Sequence, residues 1–228
     1  MNPRKIFKKI KKSNRKMLNE QEAREILKHY KIPLVKGIAT KKIEDAIKFA
    51  KKNGYPLAMK IISPDVVHKT DVGGVVLNIR NEKQVRDAYF RIIKNMKKIN
   101  ARVSGIFVQQ MIEDGYEVMI GGKKDPTFGP TIAFGLGGIF VEVFNDISFR
   151  IVPINKQDAE QMIKEIKGYK ILNGYRGKPK ADMKSLIDIL IKISKMLKEN
   201  PEIKELDLNP VFALKDKAIV VDTRIICE

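Results

Sequence analysis

Lys60 stands inside an otherwise apolar run, Leu57 to Ile62, and His68 follows it closely on a polar segment. Between them Pro64 ends strand pairing, because proline has no N–H to give to a ladder. Gly73-Gly74 closes the segment, and Val75-Val76-Leu77-Asn78-Ile79 resumes strand character. A cation placed in a buried strand costs free energy unless it meets an anion, and phosphate is the obvious partner. Imidazole is part neutral near neutrality and is a competent nucleophile toward phosphorus. Paired glycines let backbone N–H groups approach phosphate oxygens closely. Together these are the parts needed to hold a polyphosphate and to accept a phosphoryl group. Singly they also describe a hairpin with a long polar turn, a lysine whose head reaches solvent and a surface histidine.

A second set lies near the C-terminus. In Leu206-Asp207-Leu208-Asn209-Pro210 strand alternation puts Asp207 and Asn209 on one side. Asp222, in Val220-Val221-Asp222-Thr223-Arg224, comes beside them if the two strands pair as a hairpin. Two carboxylates and an amide oxygen are hard ligands that suit Mg²⁺ bridging nucleotide phosphates; polar caps at strand ends are the plainer account. Gly135-Leu136-Gly137-Gly138 is a further glycine cluster, matching neither a Walker loop nor a dinucleotide fingerprint. His29, the only other histidine, falls off the apolar stripe of its helix and reads as solvated.

The elements that must carry these residues read as α+β in two layers. Residues 1–18 form a basic lead-in with a thin Ile6, Ile10, Met17 stripe, expected to fray. Asn19 with Glu22 makes a capping box for a helix carrying Ala23, Ile26, Leu27 and Tyr30. Leu34 to Ala39 reads as a strand, and Thr40 as the cap of a helix that stops at Gly54. After the Lys60 strand and the His68 loop, Asn81 opens a long helix with Val85, Ala88, Ile92 and Met96 inward. The second half is rich in antiparallel strands: Gly105 to Ile112, Tyr116 to Gly121, Thr131 to Phe134, Ile139 to Phe144, Ser148 to Val152, Glu205 to Phe212 and Ala218 to Ile225. Helices over Asn155 to Ile166 and Met183 to Leu197 separate the later ones.

The chain has 228 residues, enough for one large domain or two lobes. Its single cysteine, Cys227, excludes an internal disulfide framework and a thiolate zinc site, and suits a reducing cytoplasm. No apolar run approaches the roughly 20 residues of a membrane span, and the basic N-terminus lacks a signal-peptide core. Net charge is +18, of which residues 1–19 supply eight cations and no acid. Basic residues are not interleaved with aromatics, which argues against an RNA-stacking surface. Abundant lysine, glutamate and isoleucine also suit a heat-adapted surface.

With these pieces in order, the chain resembles the β subunit of the archaeal ADP-forming acetyl-CoA (acyl-CoA) synthetases, an ATP-grasp chain related to succinyl-CoA synthetase. The resemblance covers residues 19–228. It rests on Lys60-Ile61-Ile62-Ser63-Pro64, on His68-Lys69-Thr70-Asp71-Val72-Gly73-Gly74-Val75, on Asp125-Pro126-Thr127-Phe128-Gly129-Pro130, on Phe134-Gly135-Leu136-Gly137-Gly138-Ile139-Phe140-Val141-Glu142, and on Glu205-Leu206-Asp207-Leu208-Asn209-Pro210. Thr223 departs from the alanine of the family's closing pattern.

The resemblance implies an ATP-grasp fold of two lobes, about 19–104 and 105–228, with the nucleotide in the cleft between them. It implies that Lys60 holds phosphates, that Gly73 and Gly74 cover the nucleotide, and that Gln109, Gln110, Met111 and Ile112 line the adenine site. Glu117 is expected at the ribose or a polar edge, Arg150 at a phosphate in transit, and Asp207, Asn209 and Asp222 at Mg²⁺. His68 is expected to be a phosphohistidine that takes its group from a partner's histidine and gives it to ADP. The implied reaction is acyl-CoA + ADP + phosphate ⇌ acid + CoA + ATP, an acid–thiol ligase active only with a CoA-binding α subunit, in an α₂β₂ assembly. The alternatives are an ATP-grasp ligase forming an acyl-phosphate without a phosphohistidine, and a non-catalytic basic subunit that binds nucleic acid.

Overall fold

A computed structural model describes residues 2–66, 68–138 and 146–228 of the chain. The chain divides into two compact units, Val35–Glu113 and the pair of segments Met1–Leu34 and Asp114–Glu228. The expected strand Ile139 to Phe144 lies outside the described residues.

The unit Val35–Glu113 is a four-stranded antiparallel sheet with two helices on one face. Its elements are β1 Gly37–Thr40, α3 Ile43–Asn53, β2 Leu57–Ile62, β3 Val75–Ile79, α4 Glu82–Lys98 and β4 Gly105–Gln110, in sheet order β1-β4-β2-β3. Val85, Ala88, Ile92 and Met96 recur at helical spacing on α4, and with Ala46, Ile47 and Ala50 of α3 they bury Leu57, Met59, Ile61, Ile106 and Val108. β4 pairs with both β1 and β2, so it belongs with this sheet. The lobe boundary expected at residue 104 therefore differs from the observed division: the strand inserted between β1 and β2 comes from beyond it. Asn81 caps α4 as expected, its side chain accepting from Gln84 N. Thr40 does not cap α3. The position falls to Lys42, while Thr40 Oγ1 donates to the Asp45 carboxylate at 2.9 Å and accepts from Lys42 N.

The other unit is built on a six-stranded antiparallel sheet. Its strands are β5 Tyr116–Asp125, β6 Gly129–Leu136, β7 Ile147–Ile151, β8 Ile203–Ala213, β9 Ala218–Val220 and β10 Arg224–Cys227, in order β10-β8-β5-β6-β7 with β9 also on β8. The helices are α1 Pro3–Lys12, α2 Glu20–His29, α5 Lys156–Glu165, the short α6 Tyr169–Leu172 and α7 Met183–Glu199. One face of the sheet, carrying Val118, Ile120, Ile132, Phe134, Leu206 and Leu208, is buried with Met162, Ile163, Leu190 and Ile193 of the helices. Antiparallel alternation leaves the other face to the polar residues considered below.

The lead-in does not fray. Asn2 caps α1, Pro3 opens it, and Ile6, Phe7 and Ile10 join the core of this unit. Phe7 turns a thin stripe into one wide enough to hold the helix, each buried side chain contributing about 1.5–3 kcal/mol. Beyond α1, Arg15 forms a two-pronged pair with Glu22 at 2.8 and 3.0 Å. Burial pushes the Glu22 carboxyl up, but the Arg15 guanidinium, the Asn19 N–H and Lys9 outweigh it and leave it below its ordinary value. A carboxyl lowered on folding contributes stability that is present above its unfolded pKa and lost as pH falls through the folded one. Arg15→Gln should therefore lower the melting temperature near neutrality and leave it unchanged at about pH 2. Equal losses at both pH values would remove this pair from the account.

Candidate functional site

In the unit Val35–Glu113, Lys60 lies on a middle strand of the sheet, paired with Phe107 on one side and Val75 on the other. Met59 and Ile61 point to α3 and α4, so Lys60 points to the opposite face. It is 7% exposed. Ala58 pairs with Gln109, and Gly37 with Gln109 across the next strand, so Gln109 shares the Lys60 face. Gln109 is 1% exposed and its Oε1 accepts no hydrogen bond from the described residues. A buried amide oxygen in that state is an acceptor held ready for a donor.

Its neighbours in the sequence do other work. Gln110 turns to the helix side and donates from Nε2 to Asn53 O at 2.6 Å. Met111 N donates to Pro56 O at 3.0 Å, and Met111 Sδ accepts from Asn78 N. Ile112 is half-buried. Of the four residues expected to line an adenine site, Gln109 alone shares the Lys60 face by strand register, while Gln110 serves the end of α3.

His68 is exposed on the loop joining β2 to β3. Both ends of that loop are fastened. The Asp65 carboxylate accepts from Arg102 Nη2 at 2.6 Å and from Arg102 N at 2.8 Å, and these bonds hold its pKa down at about 2. Gly73 O accepts from Asn95 Nδ2 at 3.0 Å, and Gly74 N donates to Lys69 O at 2.7 Å. Gly73 has a φ of +63°, a left-handed conformation that glycine adopts without strain. Val66 is buried, so the loop keeps one apolar foot in the unit while His68 stays at the surface.

On the large sheet, Asp207 pairs with Gly121, Gly121 with Ala133 and Ala133 with Phe149, which defines the face turned away from the core. Arg224 pairs with Asp207, and β9 and β10 meet β8 in one common register. That register sets Asp222, in the gap between β9 and β10, across from Asn209. The hairpin expected from the sequence therefore brings Asp207, Asn209 and Asp222 to one face, although the returning strand is broken at 221–223. Glu117 lies on the same face of β5. Gly137 N donates to Glu117 O at 2.7 Å, and a Cβ on Gly137 would come within 3.0 Å of the Glu117 carbonyl carbon. The glycine cluster thus packs directly on Glu117.

Arg150 does not join this face. It pairs with Ile132, on the core side, and its guanidinium is taken up by Glu165 of α5 and by Phe149 O. Arg150, expected at a phosphate in transit, is turned toward α5 by the register in which β7 joins the sheet. Two cations stand where sequence reading did not look. Arg224 faces Asp207, a placement legible from its alternation with Asp222 on one strand. Arg24, buried on α2, feels Asp222.

Among the described residues no group of three or more His, Cys, Asp and Glu side chains gathers as a metal site. The donor set offered is two carboxylates and an amide oxygen. All-oxygen donors with room for water suit a hard dication that keeps part of its hydration. The Asp207 carboxyl is raised, first by burial and then by the charges of Asp222 and Glu205, with Arg224 acting against them. A half-buried carboxylate with a second carboxylate and an amide oxygen on the same face is a set of hard oxygen donors whose negative charge a dication relieves, so the residues fit Mg²⁺.

The ATP-grasp domain family matches residues 9–227. The chain belongs to the ATP-grasp family. It is 47% identical over 225 residues to the β subunit of ADP-forming acetate–CoA ligase I of Pyrococcus furiosus, a match covering 98% of this chain and 97% of that one. It is 43% identical to the 4-hydroxybutyrate–CoA ligase (ADP-forming) of Nitrosopumilus maritimus, covering 97% of this chain and 32% of that longer one. This ATP-grasp chain thus spans nearly all of one relative and about a third of the other. Among solved structures, the acetyl-coenzyme A synthetase 1 of Ca. Korarchaeum cryptofilum, in complex with coenzyme A, Ca-AMPCP and HgCl⁺, superposes with a TM-score of 0.95 at 47% identity, covering all of both chains. The same enzyme with coenzyme A and Mg-AMPPCP, its phosphohistidine segment pointing towards the nucleotide-binding site, gives 0.88 at 45% identity, again covering all of both chains.

Proposed function

We infer that this chain is the nucleotide-binding β subunit of an ADP-forming acyl-CoA synthetase, an acid–thiol ligase that makes ATP from acyl-CoA, ADP and phosphate together with a CoA-binding α subunit. The observation that carries the reading is the full-length likeness to the Korarchaeum synthetase, with both chains wholly covered. The assembly we propose is α₂β₂. The lone thiol, Cys227, is buried and pushed up to about 11 by that burial, which suits a chain working in the cytoplasm. No helix among the described residues is long and apolar enough to cross a membrane.

In this reading Lys60 holds the nucleotide phosphates and Gln109 presents its buried oxygen to the base. Gly73 and Gly74 close the His68 loop, and Glu117 meets a polar edge of the nucleotide. Asp207, Asn209 and Asp222 hold Mg²⁺. When bound, the ion supplies charge neutralisation at the phosphates. An imidazole nitrogen of His68 takes a phosphoryl group from the partner, the N–P bond forming as the partner's bond to phosphorus breaks. It then surrenders the group to a terminal oxygen of ADP, the O–P bond forming as N–P breaks. Such transfer needs in-line placement and charge stabilisation more than further covalent chemistry. Lys60 supplies charge, and the loop supplies placement.

The isolated chain should bind Mg·ADP yet form no ATP from acyl-CoA and phosphate. Adding the separately purified α subunit should restore turnover. ATP formation by the chain alone would defeat the split-enzyme reading. Restored turnover with no acid-labile label on this chain would favour a direct acyl-phosphate ligase.

A further inference from the structure

We propose that Arg102 and Asn95 are positioning residues for His68: they hold the two ends of the loop that carries it, and so set where the imidazole meets phosphorus. The inference rests on the reading of His68 as a phosphohistidine made above.

The first anchor is at Asp65. Its carboxylate accepts from Arg102 Nη2 at 2.6 Å through Oδ1 and from Arg102 Nε at 3.1 Å through Oδ2, a two-pronged pair. Arg102 N adds a main-chain bond to Oδ2 at 2.8 Å. Asp65 N donates in turn to Ser63 Oγ at 3.1 Å. Arg102 stands on the short connection between α4 and β4, and that connection is tied at both ends. Ala101 N donates to Met96 O of α4 at 3.0 Å, and Ser104 N to Ile62 O of β2 at 2.8 Å. Val66, next along the loop, is buried in the core of the unit.

The second anchor is at Gly73, whose carbonyl accepts from Asn95 Nδ2 at 3.0 Å. A Cβ on Gly73 would come within 2.5 Å of that nitrogen, so the loop backbone lies directly against the Asn95 amide. Gly73 N donates to Thr70 O at 3.0 Å and Gly74 N to Lys69 O at 2.7 Å, which folds residues 69–74 into a tight turn. Gly74 O accepts from Ile61 N at 2.8 Å and ties that turn to β2. Val72 packs against the same core as Val66. Both anchors therefore come from one end of α4, Asn95 within the helix and Arg102 just beyond it.

Phosphoryl transfer needs the nucleophile in line and near contact distance. His68 is exposed, so the backbone on either side has to place it, packing being unable to. The Arg102 side chain is 77% exposed. Ion pairs at such positions add little to the stability of a fold. What a guanidinium does supply is direction, because its planar fork meets both carboxylate oxygens at once, as an ammonium does not. The Asn95 amide supplies direction at the other end without charge. Held at both ends, the loop presents the imidazole before a phosphoryl donor arrives, and less order has to be imposed during transfer.

The test is the rate at which label from phosphate reaches His68 in the complex of the full-length chain with the α subunit and acyl-CoA, measured beside Mg·ADP affinity and melting temperature. Arg102→Gln should slow labelling about tenfold, since a misplacement of about 1 Å costs up to about a hundredfold. Mg·ADP affinity should change by less than about twofold, because presentation is altered and nucleotide binding is not. Arg102→Lys keeps the charge without the fork and should recover only part of the rate. Adding Asp65→Asn to Arg102→Gln should cost no more than the worse of the two alone, because they act through one pair. Asn95→Asp keeps the shape and removes the donor to Gly73 O, and should slow labelling at least about fivefold. Combined with Arg102→Gln, its loss should multiply, because the two anchors share no partner. Phosphorylation of His68 by phosphoramidate, in the chain alone, needs no alignment with a partner and should be unchanged in every variant. A purely structural role would lower the melting temperature and leave labelling of the folded chain unchanged, which overturns the proposal. A parallel loss of Mg·ADP affinity, or of the phosphoramidate reaction, overturns it too. Should Asn95→Asp not fold, the Arg102 variants, at an exposed position, carry the test alone. Absence of label from His68 in the wild type would defeat the phosphohistidine reading and this inference with it. Label on the wild type, with the variants labelled at its rate, would defeat this inference only.

Discussion

Overall conversion of acyl-CoA, ADP and phosphate to ATP should fall by at least about 10³-fold in the reconstituted complex when His68 is replaced by alanine. Removing the nitrogen removes the carrier, and nothing else on the exposed part of the loop offers a nucleophile of that kind. The fold should scarcely notice. His68 is exposed, and the loop is fastened by the Asp65–Arg102 and Gly73–Asn95 bonds, in which His68 takes no part. A substitution at such a position should change stability by less than about 0.5 kcal/mol. The partner's half-reaction should continue. With acyl-CoA and labelled phosphate, label should appear on the α subunit and be missing from this chain, where the wild type carries it in acid-labile form. The two loop anchors give this prediction a control. Asp65→Asn loosens one end of the loop and leaves His68 intact, so phosphorylation should slow without being abolished. ATP formation by the alanine variant at near the wild-type rate would reduce His68 to a surface histidine and end the phosphohistidine relay for this protein.

What the sequence made legible was local. Asn19 with Glu22, Asn81 and Asn155 all cap helices as their spacing indicates, because a cap is a contact between residues two or three apart. The sharing of one face by Asp207 and Asn209 was legible for a similar reason: strand alternation has a period of two and needs no partner. Long-range pairing was not legible. The insertion of β4 between β1 and β2 is decided by residues some seventy positions apart, so a boundary drawn at residue 104 followed the chain order rather than the sheet. The direction of Arg150 was not legible for the same reason. Alternation says that it and Phe149 face opposite ways, but only the pairing with β6 says which way is inward. The lead-in hid its core contribution under charge: its cations outnumber its apolar residues, yet Phe7 completes a stripe that buries. Arg24 carried a signal that could have been used. Glu20 and Arg24, four apart and flanking Ala23 on an amphipathic helix, sit next to the buried stripe, where a charged pair needs a reason.

Lys60→Met should be the most damaging substitution for nucleotide binding. Lys60 sits on β2 with neighbours on both sides of the sheet, and Met59 and Ile61 beside it are fully buried against the helices. Methionine keeps an unbranched stem of similar length, so the packing beside Phe107 and Val75 should survive at a cost below about 1.5 kcal/mol. What is lost is the ammonium. A charge-assisted contact to phosphate contributes about 1.5–3 kcal/mol, so ADP affinity should fall roughly 10- to 100-fold. The effect on turnover should be larger, about 10²- to 10³-fold, because charge builds up on the phosphoryl oxygens during transfer and a cation in a buried place is strongest there. The two numbers separate the roles: a loss confined to affinity means that Lys60 only anchors the nucleotide, and a further loss in kcat means that it stabilises the transfer. Lys60→Arg should not rescue the activity. The strand face on which Lys60 lies also carries Gln109, 1% exposed, and a bulkier planar head must displace what packs there. Calorimetry with ADP and steady-state rates in the reconstituted complex decide the matter. If Lys60→Met binds Mg·ADP as tightly as the wild type and turns over at its rate, the buried lysine is structural, and the phosphate site must be sought elsewhere in the unit Val35–Glu113.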